Sequence, residues 1–403
     1  MCPPTGPQPV KGQERSHQEA TDPFPWHIGV CDAHCHPTDT MSSIASITNM
    51  KAQVLTIMAT RAQDQDLVAS VAATHGIRIR EATQAGSPEK IIPAFGWHPW
   101  FSHQLYDGSG DPPDKSKHYE SVLTPPPDAE FIKSLPDPRP LSEFISQTRQ
   151  RLLNEPLAMV GEVGVDKAFR LPSAREAPPV LNDGLTPGGR EGRTLSPYHV
   201  KMPHQVIVLK EQLRLAGEIG RPASVHGVQA HGVLYDALAS LWKGHEKEVI
   251  SKRKMRLAAE GAEDFSSSDE EEDYGDDGHG QGRQRAGRPY TAKPFPPRVC
   301  LHSFSGPPQM LSQYLHPAIP ADVFFSFSTC VNLSTPGLES KFAEVVRACP
   351  DDKLLIESDL HTAGEEMDYQ LEMIGRRVCE VKGWTLEEGL ERIRRNYDKF
   401  IFG

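Results

Sequence analysis

The stretch "CDAHCHPTDT", residues 31–40, holds two histidines one residue apart, His34 and His36. In an extended strand, residues i and i+2 point to the same side. Both imidazoles can therefore address one ion while Ala33 and Cys35 face elsewhere. Imidazole suits zinc and related divalent ions, whereas carboxylates suit harder ions and can bridge two of them. Alone the pair says little, because a strand-end histidine is ordinarily solvated or packed. Its weight comes from Glu162 in "VGEVGVD", His226 in "ASVHG", His302 in "VCLHSFSG" and Asp359 in "LLIESDLH", each placed after a short apolar run. Each has an ordinary reading of its own: a surface carboxylate beside Lys167 for Glu162, a helix cap for Asp359, a packed histidine for His302. Together the six form a candidate centre for one or two divalent ions, Mg, Mn or Zn. Glu162 is placed to bridge an ion on His34 and His36 to a second on His226 and His302. Asp359 completes the first shell or acts as general base. Two ions about 3.5–4 Å apart would stabilise both the attacking and the leaving oxygen of a hydrolysis.

The elements that must position these residues are short β-branched runs separated by helix-like stretches. They are His27–Val30 leading to His34, Gln53–Met58, Ile91–Gly96, Leu157–Glu162, Pro222–His226, Val299–His302, Val323–Ser328 and Leu354–Asp359. Continuous apolar runs alternating with amphipathic segments predict parallel strands covered by crossover helices. Eight such units predict an α/β fold, a TIM-like (β/α)8 barrel, whose strand ends share one rim. An open doubly wound sheet is the rival, but no glycine-rich phosphate fingerprint follows the first run. Two helices are legible. Val206, Leu209, Leu213 and Ala216 recur at helical spacing before Gly220 and Pro222. Thr385 and Glu388 have the spacing of a capping box ahead of an apolar stripe of Leu386, Leu390, Ile393, Tyr397 and Phe400.

Residues 1–24 read as a disordered tail, and 25–403 as one barrel domain interrupted by insertions at about 105–140, 171–200 and 244–295. The insertions are rich in proline, glycine and charge and are predicted to be long loops, the third mostly disordered. The third combines "KRKMR", "DFSSSDEEEDYGDD" and "GHGQGRQRAGR". Its Ser266–Ser268 precede acids, a context for an acid-directed kinase, and its basic run is a candidate nuclear-localisation patch. Such insertions also explain an apolar fraction of only 37% beside 36 prolines and 32 glycines. A net charge of −11 argues against a globally basic nucleic-acid binder. The seven cysteines are scattered without a C-x-x-C pair, as in a reduced intracellular protein. Neither a signal core nor a membrane-length apolar run is visible, so a cytoplasmic or nuclear location is expected, with no membrane partner.

The motifs "DAHCHPTD", "AFGWHPW", "GEVGVD", "QVIVLKEQLRLAGEIGRPASVHG", "CLHSFSG", "FSFSTCVN", "LLIESDLH" and "NYDKFIFG" together resemble the TatD-like metal-dependent hydrolases, the TatD deoxyribonuclease family of the amidohydrolase superfamily. The likeness runs from about residue 30 to the C-terminus and is greatest to a fungal subgroup with long insertions, described as interacting with a subunit of the anaphase-promoting complex. The resemblance implies a TIM-like barrel, a one- or two-metal centre, and phosphodiester hydrolysis, typically of DNA. It implies His34, His36, Glu162, His226, His302 and Asp359 as ligands, with Asp359 and Glu162 managing the proton. His98, in "GWHPW", matches a rim histidine and is a candidate substrate-phosphate contact, not a ligand; Gln205 and Gln212 match the family's helix pattern as structural residues. Val228 stands where the family often has Arg, and Leu360–His361 replace its Ser-Pro. These departures leave the ligands intact but alter the substrate contacts. Three functions follow: a metal-dependent DNase of exonuclease type, a hydrolase of small esters or amides, and a metal-bound scaffold that binds a cell-cycle or other partner through the 244–295 insertion.

Overall fold

The computed structural model describes residues 22–80, 87–108, 111–173, 194–249, 290–335 and 337–403. Eight parallel strands follow one another in chain order around a barrel. They are β1 (Cys31–Cys35), β2 (Val54–Met58), β3 (Ile91–Phe95), β4 (Met159–Asp166), β5 (Ala223–Val228), β6 (Arg298–Leu301), β7 (Asp322–Phe327) and β8 (Leu354–Ile356). Every expected run supplies a strand. The first run is shifted: Trp26–Ile28 make a 3-10 turn that ends at Gly29, with φ +88°, before β1 begins at Cys31. Between β8 and β1 the barrel is closed by the segment after β8, since the amides of Asp359 and His36 donate to the carbonyls of His34 and Leu360.

Strand alternation sorts the core into two layers. Leu55, Ile57, Ile91, Phe95, Val225, Phe325 and Ile356 face the surrounding helices. Val54, Met58, Ile92, Ala94, Met159, Phe324 and Leu355 share a second cluster with Tyr397, Phe400 and Ile401 of the C-terminal helix Leu386–Phe402. That helix starts as its capping-box spacing predicts, the Thr385 hydroxyl accepting from the Glu388 amide. Its stripe docks at Leu390, Ile393, Tyr397 and Phe400. Burying one such aromatic side chain contributes roughly 1.5–3 kcal/mol. The helix Met202–Ile219 covers β4 and ends at Gly220, whose φ of +78° is the left-handed cap the sequence signals. Its buried Gln205 and Gln212 clamp the rim: Gln205 brackets the main chain of Asp166, and Gln212 that of Trp97.

The 105–140 segment corrects the expectation of a loop. It carries the helices Lys115–Val122 and Ala129–Ser134, capped by Asp114 and Asp128. Its Leu123–Thr124 pairs antiparallel with His199–Val200 of the second insertion. Neither insertion alone has the apolar surface for a core, but Tyr119, Val122, Leu123, Phe131 and Ile132 pool theirs with Phe169, Leu171, Tyr198 and Val200. Both insertions follow strand C-terminal ends, so the resulting cap sits on the rim. The third insertion enters and leaves at the opposite end. Lys247 donates to the Ala318 carbonyl, and the hydroxyl of Tyr290 and amide of Lys293 donate to the Gly217 carbonyl. A side chain at Gly217 would collide with the carbonyls of Phe295 and Lys293. "KRKMR", Ser266–Ser268, the glycine-rich run and most of the N-terminal tail lie outside the described residues.

Candidate metal centre

All six expected ligands converge at the rim inside the barrel mouth. His34 and His36 bring Nε2 atoms to 3.1 Å of each other. Asp359 Oδ1 stands 3.9 and 3.6 Å from them, and Glu162 Oε2 stands 3.5 and 3.4 Å away. The other oxygen of Glu162, Oε1, lies 2.8 Å from both His226 Nδ1 and His302 Nε2, which are 3.1 Å apart. One carboxylate thus presents one oxygen to each of two donor sets. A register shift between Val160 and Val163 makes this possible. Val160, Val163 and Val165 pack outward, leaving Glu162 and Asp166 to point into the mouth. Asp359 reaches its place at φ +55° and Ser303 sits at φ +40°, left-handed conformations uncommon for residues other than glycine and found at functional sites.

The donor set fits divalent ions on chemical grounds. His34 is held at Nδ1 by Ser224 Oγ at 2.9 Å, and His226 at Nε2 by Asp166 Oδ2 at 3.2 Å. His302 Nδ1 faces Glu357 Oε1 at 3.4 Å. The Asp166 carboxylate, an acceptor only, assigns the N–H of His226 to its remote nitrogen, and Ser224 and Glu357 offer oxygens to the remote nitrogens of His34 and His302. The near nitrogens then offer lone pairs to Glu162 and Asp359, an arrangement that needs a cation in the middle. In the metal-free protein protons take that part. Burial would lower His36, but its contact with Asp359 and the charge of Glu162 take it up to about 9. Burial is likewise outweighed at His302, which is raised well above the usual histidine range by Glu162 and Glu357. His34, buried and beside His302, is lowered. Glu162 and Asp359 are both held below the usual carboxylate range, the surrounding imidazoles outweighing burial.

His98 Nε2 lies 3.1 Å from Glu162 Oε1, close enough to join the second set. Its Nδ1, however, accepts the Trp100 amide at 3.2 Å. Burial takes its pKa down to about 4, so the ring is neutral and the proton sits on Nε2. That nitrogen donates a hydrogen bond and has no lone pair for a metal. Of the departures from the family pattern, His361 has moved closest to the centre. It stacks on His36 at 5.3 Å and bonds through Nδ1 to Asp39 Oδ2 at 2.8 Å, and Asp39 also receives Arg61 at 3.1 Å. Val228 continues β5, and His231 opens the next helix, packing on Phe304.

Sequence reasoning missed the supporting residues, though strand periodicity carries their signal. Asp32 is two before His34, Ser224 two before His226, Glu357 two before Asp359, and Asp166 four after Glu162. Asp32 accepts from the amide and hydroxyl of Ser358 and the amide of His34, tying β1 to the loop that carries Asp359. Burial pushes its pKa up to about 7 against those bonds. Glu357 accepts the amide and hydroxyl of Ser303.

The TatD related DNase family model matches residues 31–402, and the chain belongs to that family of hydrolases. It is 36% identical over 377 residues to Cut9-interacting protein scn1 of Schizosaccharomyces pombe, covering 92% of this chain and 98% of that protein. It is 26% identical to the uncharacterized deoxyribonuclease YMR262W of Saccharomyces cerevisiae, covering 79% and 85%. Among solved structures, YjjV, a TatD homolog from Escherichia coli, shares the fold with a TM-score of 0.50 at 16% identity, over 93% of this chain and 98% of that one.

Proposed function

We propose that the protein is a two-metal phosphodiesterase that cleaves DNA from an end. The observation that carries this reading is Glu162, with one oxygen in the set of His34, His36 and Asp359 and the other in the set of His226 and His302. Divalent ions held by these residues would supply an activated water and neutralise charge on the phosphoryl oxygens. Asp359, 16% exposed beside buried histidines, is the ligand open to the mouth and takes the proton of the attacking water. Glu162 keeps both donor sets in register. His98, neutral and with its Nε2–H on Glu162 Oε1, is placed to share that donor with a phosphate oxygen at the mouth without competing for the ions. The catalytic unit is one barrel domain spanning residues 25–403.

A second role is favoured by where the third insertion is anchored. Its ends are fixed at the floor of the barrel, by Ala318 and Gly217, away from the rim. A partner bound through it would leave the mouth open. The name of the S. pombe relative, which describes an interaction with Cut9, supports a protein partner for this chain; a cytoplasmic or nuclear site of action is part of the same proposal. Among the described residues no helix is long and apolar enough to cross a membrane.

The test is hydrolysis of single-stranded DNA by the purified protein with Mg²⁺, Mn²⁺ or Zn²⁺, beside a panel of small esters and amides. Asp359→Ala is expected to remove DNA cleavage by at least about 100-fold, the low end for a lost general base. DNA cleavage that survives in Asp359→Ala, or activity confined to the small substrates, would overturn the assignment.

A further inference from the structure

We propose that Trp100 is a positioning residue for the ion held by His226 and His302, and that the two rim insertions set through it how tightly that ion is bound. The proposal rests on the two-ion reading above. His226 faces Glu162 through Nδ1, so its orientation depends on what grips the opposite nitrogen, and that group is Asp166 Oδ2 at 3.2 Å. The same oxygen accepts the indole N–H of Trp100 at 2.7 Å. Asp166 Oδ1 is occupied separately, by the amides of Ala168 and Phe169 at 2.7 and 2.9 Å. The carboxylate is therefore pinned at one end by its own turn and at the other by Trp100. An indole N–H is a donor only, so it reinforces Asp166 as an acceptor and leaves the His226 proton on Nε2.

Trp100 is in turn held by the cap. Its ring stacks on Phe169 at 4.4 Å with 8° between the planes. Phe169 belongs to the cluster in which Tyr119, Phe131 and Ile132 of the first insertion meet Leu171, Tyr198 and Val200 of the second. The main-chain amide of Trp100 also caps His98 Nδ1, so one residue steadies histidines on two strand ends. Among the described residues no such chain of contacts leads from the cap to His34, His36 or Asp359, whose support comes from Ser224, Asp32 and, at His36, His361. The indole N–H therefore acts, through Asp166, on His226 and on no ligand private to the other set.

The experiment is a calorimetric Mn²⁺ titration of the metal-free full-length protein as wild type, Trp100→Phe, Asp166→Asn and the double variant. Trp100→Phe keeps an aromatic ring against Phe169 and removes the indole donor, and far-ultraviolet circular dichroism with a thermal melt reports the fold. Loss of a hydrogen-bonding partner behind a ligating histidine costs about 10–100-fold in metal affinity, which is the expectation for Asp166→Asn at the second site. Trp100→Phe, one bond further out, should cost about 3–10-fold there and leave the first site unchanged. Because Trp100 acts through Asp166, the double variant should bind no more weakly than Asp166→Asn. Phe169→Ala, which leaves the indole donor but removes its stacking partner, should reproduce part of the Trp100→Phe loss. The proposal is overturned if Trp100→Phe binds both ions like the wild type, if both sites weaken equally, or if the losses multiply in the double variant. An unaltered Phe169→Ala would overturn the role of the insertions. A wild type that takes up a single ion would overturn the two-ion reading itself, a result separate from all of these.

Discussion

Replacing Glu162 by glutamine keeps the side chain's volume and one of its oxygens but removes the charge that both donor sets share. The amide must turn its NH₂ toward one set. His226 Nδ1 and His302 Nε2 sit 2.8 Å from Oε1; the remote nitrogen of His226 is engaged by Asp166, and that of His302 faces Glu357 at 3.4 Å. Two lone pairs at 2.8 Å outweigh the single opposing donor there, His98 Nε2–H at 3.1 Å, so NH₂ takes that side and the remaining oxygen turns toward His34, His36 and Asp359. One ion then keeps an oxygen ligand while the other meets N–H groups. A unit charge pair 4 Å apart is worth about 4 kcal/mol at an effective dielectric of 20, so losing a carboxylate beside a divalent ion removes about twice that in gross attraction. Relief from burying the carboxylate returns much of it. A net loss of at least about 100-fold in affinity, or about 2.7 kcal/mol, is expected at the second site and less than about tenfold at the first. Calorimetric titration with Mn²⁺, checked by elemental analysis after desalting, reads this directly as a stoichiometry falling from two to one. Two ions bound by Glu162→Gln within threefold of wild-type affinity would refute the bridging argument.

Other consequences follow from the same contacts. His36 at about 9 and a raised His302 mean that the metal-free centre holds protons at neutral pH, so ion binding should release protons and strengthen as pH rises from 6 to 9. Calorimetry in buffers of different ionisation enthalpy should show a net release, and none at pH 7 would contradict it. Away from the centre, His103 is buried, and burial, with the charges of His204 and His118, takes its pKa down to about 3. The unfolded chain binds a proton there near pH 6.5 and the folded chain does not, so the contribution is complete above pH 6.5 and is lost as pH falls. Between pH 7 and 5 that amounts to about 2 kcal/mol; a His103→Gln variant should flatten this part of a urea-melt series, and an equal loss in the variant would count against it. Replacing residues 250–289 by a short Gly/Ser linker should leave hydrolysis within twofold of wild type, because the insertion's anchors are at the floor. A larger loss of activity would place the insertion at the rim.

Strand order, the α/β class and six rim residues were legible because β-branched runs must alternate with helices, and because H-x-H has the period of a strand. Cys35 packs in the outer core against the Thr56 carbonyl as expected, but across a register shift in β1 that leaves Ala33 in the inner layer, where alternation alone had both facing away together. The cap was not legible. Its apolar residues are spread between two insertions that each read as polar, and only their meeting at Leu123–Thr124 and His199–Val200 makes a core. The sequence already paired His34 with His36 and His226 with His302 across Glu162; which carboxylate oxygen serves which pair was decided in three dimensions. Composition placed a carboxylate near four histidines, but the register shift in β4 aims Glu162 so that each oxygen serves a different pair. Which nitrogen of each imidazole faces inward depends on Ser224, Asp166 and Glu357, each from a different strand or strand end than the histidine it faces. A linear chain specifies the chemistry it can bring to a rim, because residue type and period are local. Distances between lone pairs are non-local, and the closed barrel sets them.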